Sequence, residues 1–336
     1  RGYALLLLGR CGGKSPEPLR QACGAVLRSA RLMMPGTGPA TPENRLVQAR
    51  RQGSRVVAEL AGLWPDWCRR MQGPEWFIVE SPAYVEGFSI RWAEPTGEPT
   101  SCYGREMQLL RIRSFASQTR QMQPLRSARP RTGGLAGWLG SVLALLEGSG
   151  GPALQWWLQA EWSVSGPGLG CQFRENCLQV GAGHSDSYSV RAVRQAGSDR
   201  LQVSVGSGRQ SRQYLLQLPD NYVPAPLEDL AIYRAATRPA GTMVLLRTLG
   251  PAGKTLATTI CHALGQATIL HEGRRMRAAK ALLQRDFSPE PAVYYFDTAG
   301  RLIRIEMQQL LIRRTSERVV RDRFPGQLPA IGQQRR

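Results

Sequence analysis

Residues 157–180, WLQAEWSVSGPGLGCQFRENCLQV, decide the fold. They read as two strands, Trp157–Val164 and Gln172–Val180, separated by a glycine and proline turn around Gly168. The same rhythm continues to the C-terminal end, with a turn signal every 8–14 residues or so along the chain. Further strands are expected at Tyr188–Val193, Leu201–Val205, Tyr214–Leu218, Met243–Leu249, Thr255–Ala263, Ala267–Leu270, Arg277–Gln284, Ala292–Phe296 and Arg301–Met307. Helices do not alternate with these runs, so the pattern predicts an antiparallel meander rather than a βαβ array.

Upstream, Gly148-Ser149-Gly150-Gly151-Pro152 is a break. Before it, Thr41-Pro42-Glu43 has the chemistry of a helix start: a capping hydroxyl, a proline at the first position and an acid for the dipole. Leu46, Ala49, Gly53, Val56, Leu60 and Leu63 then repeat at spacings of three and four. That is one helical stripe, with small residues where another backbone can approach. Trp64-Pro65 is expected to end the helix. Glu75–Glu80, the run around Phe88, Ile90 and Trp92, and Met107–Arg113 read as strands.

The fold class is therefore α+β: a small helix-and-strand N-terminal unit, then a mainly antiparallel β-sheet domain. The expected divisions are a basic N-terminal segment at 1–40, an α+β unit at 41–113 and an arginine-rich arm with a short helix at 114–152. A β domain at 153–320 and a basic, extended tail at 321–336 follow.

The 336 residues carry 44 basic and 25 acidic side chains, a formal charge of +19. Only Lys14, Lys254 and Lys280 are lysines; the other basic residues are arginines. Such a charge points to an acidic partner: nucleic acid, an anionic membrane or an acidic protein face. Arginine almost without lysine also indicates compositional bias, so the distribution of charge carries more information than its sum. Between Gly104 and Gly134, Arg105, Arg111, Arg113, Arg120, Arg126, Arg129 and Arg131 stand against one acid, Glu106. Arg313, Arg314 and Arg318 lie in a second basic stretch. Both are candidate contacts for RNA phosphates or an acidic protein neighbour.

Seven cysteines lie at wide spacing without a Cys-x-x-Cys, which gives no support to a zinc ribbon or thioredoxin-type site. Free thiols are expected, with a Cys171–Cys177 bridge across a turn as the alternative. His184, His262 and His271 lack metal-ligand spacing. Neither a metal nor a cofactor is expected. The longest apolar run, Leu135–Leu146, is too short to span a bilayer. The acid-poor, arginine-rich N-terminal sequence reads as a transit peptide.

Gly250-Pro251-Ala252-Gly253-Lys254-Thr255 and Asp297-Thr298-Ala299-Gly300 each follow an apolar run. The pair resembles the phosphate loop and the Asp-x-x-Gly switch element of small GTPases. That resemblance implies a nucleotide site at Gly253, Lys254, Thr255 and Asp297. Thr248 replaces the first glycine of the loop, and the competing reading is two tight turns. Gly183-His184-Ser185-Asp186-Ser187 lacks the last glycine of a nucleophile elbow.

Gly265 to Met307 resembles a family of bacterial envelope proteins of uncharacterised function built on a large curved antiparallel sheet. The matching features are the Glu272-Gly273 turn, the basic strand Arg274–Gln284, the aromatic strand ending at Tyr294-Tyr295-Phe296, and the turn at Asp297–Gly300. The resemblance implies a sheet that cups a lipid or a partner segment, and a location in the bacterial cell envelope.

Together these features predict a non-enzymatic accessory or structural subunit of a large mitochondrial assembly. A respiratory-chain or ATP-synthase complex and a mitochondrial ribosome both fit. A bacterial envelope module with an apolar ligand and a degenerate nucleotide binder are the alternatives.

Overall fold

The structure is a computed structural model that describes residues 42–71, 73–80, 85–96, 101–112, 154–181, 184–207, 210–250, 253–286, 288–307 and 310–328. Contacts divide the chain into Arg1–Arg45 and Leu46–Arg336. The described part of the first unit is the opening of helix α1 (Pro42–Arg70); the rest of that helix and every other described element belong to the second.

The second unit is α+β and mostly sheet. Fourteen strands form one sheet: β1 (Glu75–Glu80), β2 (Val85–Pro95), β3 (Ser101–Ile112), β4 (Leu154–Ser165), β5 (Gly170–Gly181), β6 (His184–Arg194), β7 (Arg200–Ser207), β8 (Gln210–Gln217), β9 (Met243–Leu249), β10 (Leu256–His271), β11 (Arg274–Arg285), β12 (Ser288–Phe296), β13 (Leu302–Glu306) and β14 (Leu311–Thr315). Every neighbouring pair is antiparallel. The order from edge to edge is β8 down to β1, then β14 down to β9. A short 3-10 turn (Ala225–Leu227) leading into helix α2 (Glu228–Ala236), and helix α3 (Glu317–Arg323), complete the described elements.

In this order the strands before residue 113 and those after residue 153 belong to one sheet. β3 pairs with β4 along its whole length, from Ser101↔Ser165 to Ile112↔Leu154. β1 pairs with β14, from Trp76↔Thr315 to Glu80↔Leu311. The N-terminal strands are the middle of the sheet, because β1 offers a second edge that only the last strand fills.

Alternation along each strand sorts side chains to two faces. The inner face presents Phe77, Val79, Ala93, Leu110, Leu158, Trp162, Phe173, Val190, Leu246, Leu283, Tyr294 and Phe296 to one continuous core. Val56, Leu60, Trp64, Trp67, Cys68 and Met71 of α1 and its end fill it, with Leu230, Ala231, Ile232 and Ala235 of α2. On the outer face, Val320 and Phe324 at α3 cover Trp76, Ile78, Phe88, Ile90 and Leu109. The sheet curls until its ends meet. Val223 donates its backbone N–H to Arg247 (2.7 Å), and Arg247 donates to Asn221 (2.9 Å), so the chain leaving β8 covers the edge of β9. Gly253, just after β9, packs on Val190, Val203 and Val205 of β6 and β7.

Three local expectations, and the alternative of a Cys171–Cys177 bridge, need correction. α1 runs through Pro65 to Arg70. The missing proline N–H costs about 3 kcal/mol, but Trp64, Trp67 and Cys68 continue the buried stripe, and a large apolar side chain such as either tryptophan is worth about 1.5–3 kcal/mol when buried. The basic stretch after β14 is not extended but forms α3, capped by Ser316, whose hydroxyl accepts from the Val319 N–H (3.5 Å). The two runs at 255–270 are one strand, β10, with a bulge between Ala263 and Gly265. Cys171 and Cys177 both lie in β5 rather than across a turn. Six residues of strand separate them by about 20 Å, and both are free buried thiols.

Candidate functional site

The residues of the expected nucleotide site are not brought together. Gly253, Lys254 and Thr255 occupy the β9–β10 loop, closed by the Gly250 N–H on the Thr255 carbonyl (2.8 Å). Strand β10 follows, not a helix, so no helix N-terminus faces a phosphate. β10 runs away from that loop, β11 returns and β12 runs away again, which puts Asp297 at the opposite end of the strands. Asp297 is consumed by its own turn: it accepts from the Ala299 N–H (2.9 Å) and the Arg301 N–H (2.8 Å) and pairs with the Arg301 side chain (2.8 Å). The turn reading of both loops therefore describes them. His184–Ser187 opens β6 within an antiparallel hairpin, not a strand-to-helix elbow.

Several candidate contact arginines are engaged within the chain. Arg105 pairs with Glu161 (3.1 Å), Arg313 with Glu80 (2.9 Å), Arg314 with Glu75 (3.3 Å) and Arg318 with Asp322 (3.7 Å). The Arg111 side chain and Arg113, Arg120, Arg126, Arg129 and Arg131 lie outside the described residues.

Sequence reasoning missed a buried charge cluster on the inner face. Arg91 of β2 donates from Nε to Glu75 (3.1 Å) and from a terminal nitrogen to Asp229, with its guanidinium 4.8 Å from the Phe77 ring centre. Arg285 of β11 donates to Glu228 (2.6 Å) and to the Tyr294 hydroxyl (3.2 Å). Glu228 and Asp229 are the first turn of α2, where the helix dipole favours their charge. Its start is thereby fastened to both halves of the sheet. Its other end is fastened to α1, where Glu59 accepts from Arg234 (2.8 Å) and Arg238. Burial opposes the charge on Arg91 and Arg285, but their carboxylates outweigh it and hold both above the ordinary arginine value.

Between these clamps lies a cavity of about 50 Å³, lined by Arg91, Glu106, Glu175, Asp229, Arg285 and Tyr294 beside Trp162 and Phe173. It has room for a few waters. Burial pushes the Glu106 carboxyl up, against Arg91 and the Gln108 amide that hydrogen-bonds it. Burial, with Glu106 nearby, pushes Glu175 up to about 7, against the Tyr188 hydroxyl that donates to it (2.9 Å). A carboxyl raised in the folded state contributes stability below its unfolded value of 4.5, and that stability is lost as pH rises through about 7. Over that range the loss is about 3 kcal/mol. Glu175→Gln, which cannot ionise, is therefore expected to lose less stability than wild type between pH 5 and pH 8.5, by ~2–3 kcal/mol in urea melts. Parallel profiles would show that Glu175 does not titrate in this window.

The outer face of β3–β7 carries a second site, in rows set by register. One row is Arg105, Glu161, Arg174, Arg191 and Ser204. The next is Met107, Gln159, Asn176, Ser189 and Gly206. The third is Leu109, Trp157, Leu178 and Ser187. The second row, with Trp157, Leu178 and Ser187 of the third, lines a groove of about 370 Å³. Trp157 stands edge-on to Phe88 (6.2 Å between ring centres), and Leu178 is 42% exposed. Small side chains at Ser187, Ser189 and Gly206 leave the trough open. A Cβ on Gly206 would lie 2.8 Å from the Ser189 hydroxyl oxygen.

Among the described residues no helix is long and apolar enough to cross a membrane, and no cluster of three metal-ligating side chains occurs. No family model matches the chain, and no curated protein matches it. Among solved structures the chain is similar to a beta-barrel-like protein of the domain of unknown function DUF1849 from Brucella abortus. The two share 9% sequence identity over 73% of this chain and 96% of that one, with a TM-score of 0.42.

Proposed function

We propose that this chain is a non-catalytic accessory subunit of a larger assembly, and that the outer face of β3–β7 seats a protein partner. The groove floored by Trp157, Met107 and Leu178 carries this reading. It is rimmed by the amides of Gln159 and Asn176 and the hydroxyls of Ser187 and Ser189, which match the backbone groups of a bound segment. The inner face supports a ligand less well. Helices α1 and α2 fill it, and its cavity of about 50 Å³ is small beside the ~300–1,000 Å³ of a small-molecule pocket. The acid-poor N-terminal sequence favours a mitochondrial host, and a ribosomal host would require RNA to hold the protein in place.

The test is purification of the tagged full-length protein from its native source at physiological ionic strength. Expected is migration well above the mass of the 37.1 kDa chain, unchanged by RNase and lost on Leu178→Asp. Migration as a lone chain, or release by RNase, would overturn the reading.

A further inference from the structure

We infer that the seated partner segment is extended and acidic, with a carboxylate gripped by Arg174 and Arg191 and a large apolar side chain four residues away in the groove. This deepens the proposed function and rests on its outer-face reading.

Arg174 and Arg191 are directly opposite each other in β5 and β6, and both are exposed. Like charges in that position repel. Glu161, beside Arg174 in the same row, is already engaged by Arg105 (3.1 Å). Neither Arg174 nor Arg191 has a carboxylate partner among the described residues. Two adjacent guanidinium groups are a ready clamp for one carboxylate, which accepts planar, paired hydrogen bonds.

Register then sets the ligand's spacing. Successive rows on one face lie about 6.6 Å apart, so the Trp157–Leu178 row is ~13 Å from the arginines. An extended segment running along the strands turns alternate side chains to the sheet. Its first inward residue meets the arginines, the next meets Asn176 and Ser189, and the third, four residues on, enters the groove. The middle row offers amides and hydroxyls to the segment's backbone.

Charge excludes the protein's own arm as occupant. Residues 113–134 contain five arginines and no acid, so they are repelled by the arginine pair. RNA would satisfy the arginines and stack a base on Trp157, but Leu178 and Met107 beside it suit an aliphatic side chain better.

The experiment uses the full-length protein and a fluorescein-labelled ten-residue peptide with glutamate and leucine four positions apart. Fluorescence anisotropy is expected to show saturable binding that weakens with salt. The double variant Arg174→Glu/Arg191→Glu is expected to bind at least about tenfold more weakly and to gain affinity for the same peptide with lysine replacing glutamate. Ser189→Leu, which fills the trough and keeps both arginines, is expected to lose binding. Arg191→Glu alone should melt at or above the wild-type temperature, because it ends the like-charge contact. Equal binding of the glutamate and lysine peptides by wild type overturns the inference, as does indifference to the leucine. So does displacement of the peptide by an equimolar ten-nucleotide RNA, or crosslinking of the groove to residues 113–153 of the same chain. If Leu178→Asp releases the native partner and Arg174→Glu/Arg191→Glu does not, the outer-face reading stands and the acidic anchor fails. If neither variant releases it, both fail.

Discussion

Arg91→Met is expected to destabilise the protein by about 3–5 kcal/mol at neutral pH, because it breaks a buried ion pair from one side. Arg91 is flanked by Glu75 (4% side-chain exposure) and Asp229 (18%), and Glu106 faces it across the β2–β3 pair. Methionine fills much of the volume over Phe77 but supplies no charge. Three carboxylates would then share a site with too few donors. The total stability of a domain is about 5–15 kcal/mol, so this single change removes a large fraction of it. The pH dependence identifies the cause. Without Arg91 the Glu106 carboxyl, already pushed up by burial, loses the cation that holds it down, so the variant should regain stability as pH falls from 7.5 to 5. Adding Asp229→Asn should recover part of the loss at pH 7.5. Urea melts at the two pH values would measure both effects. A loss under ~1 kcal/mol that does not change with pH would mean that Arg91 acts as an ordinary surface pair.

The second large effect concerns helix packing. Gly53→Ala is expected to cost about 1–3 kcal/mol or more, as overpacked cores do. A Cβ at Gly53 would lie 1.9 Å from the Leu245 carbonyl oxygen and 3.2 Å from Asn221 Cβ. The obstacle is backbone, not a side chain that can turn aside. The same carbonyl accepts from the Asn221 amide (2.8 Å), which helps hold the chain over the edge of β9. Moving α1 outward would therefore disturb the seam where the ends of the sheet meet. Gly62 is the internal control. It is exposed on the same helix, and a methyl group there would meet nothing within 4 Å. Gly62→Ala should therefore stabilise by about 0.5–1 kcal/mol through helix propensity alone. Opposite signs for one substitution on one helix, read from thermal melts, would locate the close approach. Equal signs would remove it.

Both predictions involve features of different legibility. The stripe Ala49, Gly53, Val56 and Leu60 is visible at spacings of three and four, and its glycine does face a neighbouring backbone. Strand alternation in Trp157–Val164 and Gln172–Val180 is equally visible, as are the turns at Glu272-Gly273 and Asp297–Gly300. The helix α3 has a signal in Ser316-Glu317, masked by the arginines around it. The helix α2 has one in Pro226 and the acids at 228 and 229, overlooked beside so many strands. Neither Arg91 nor Glu175 carries a local mark of burial: Arg91 alternates with the apolar Ile90 and Trp92 as a solvent-facing residue would, and Glu175 sits between Arg174 and Asn176.

What the sequence determined by itself was local: which segments are strands, where they turn, and that α1 would bury a stripe of small and apolar residues. Period and turn chemistry act within a few residues, so they can be read without knowing the partners. The tertiary structure decided which strands are neighbours. The pairing of Trp76 with Thr315 joins residues 239 apart along the chain (315 − 76), and nothing local specifies it. That pairing places Arg314 beside Glu75, and the curl it completes brings Arg91 and Arg285 to the same helix end. The opposition of Arg174 and Arg191 likewise exists only through the register of β5 on β6. A charge becomes a clamp, or a site, through what the fold sets against it.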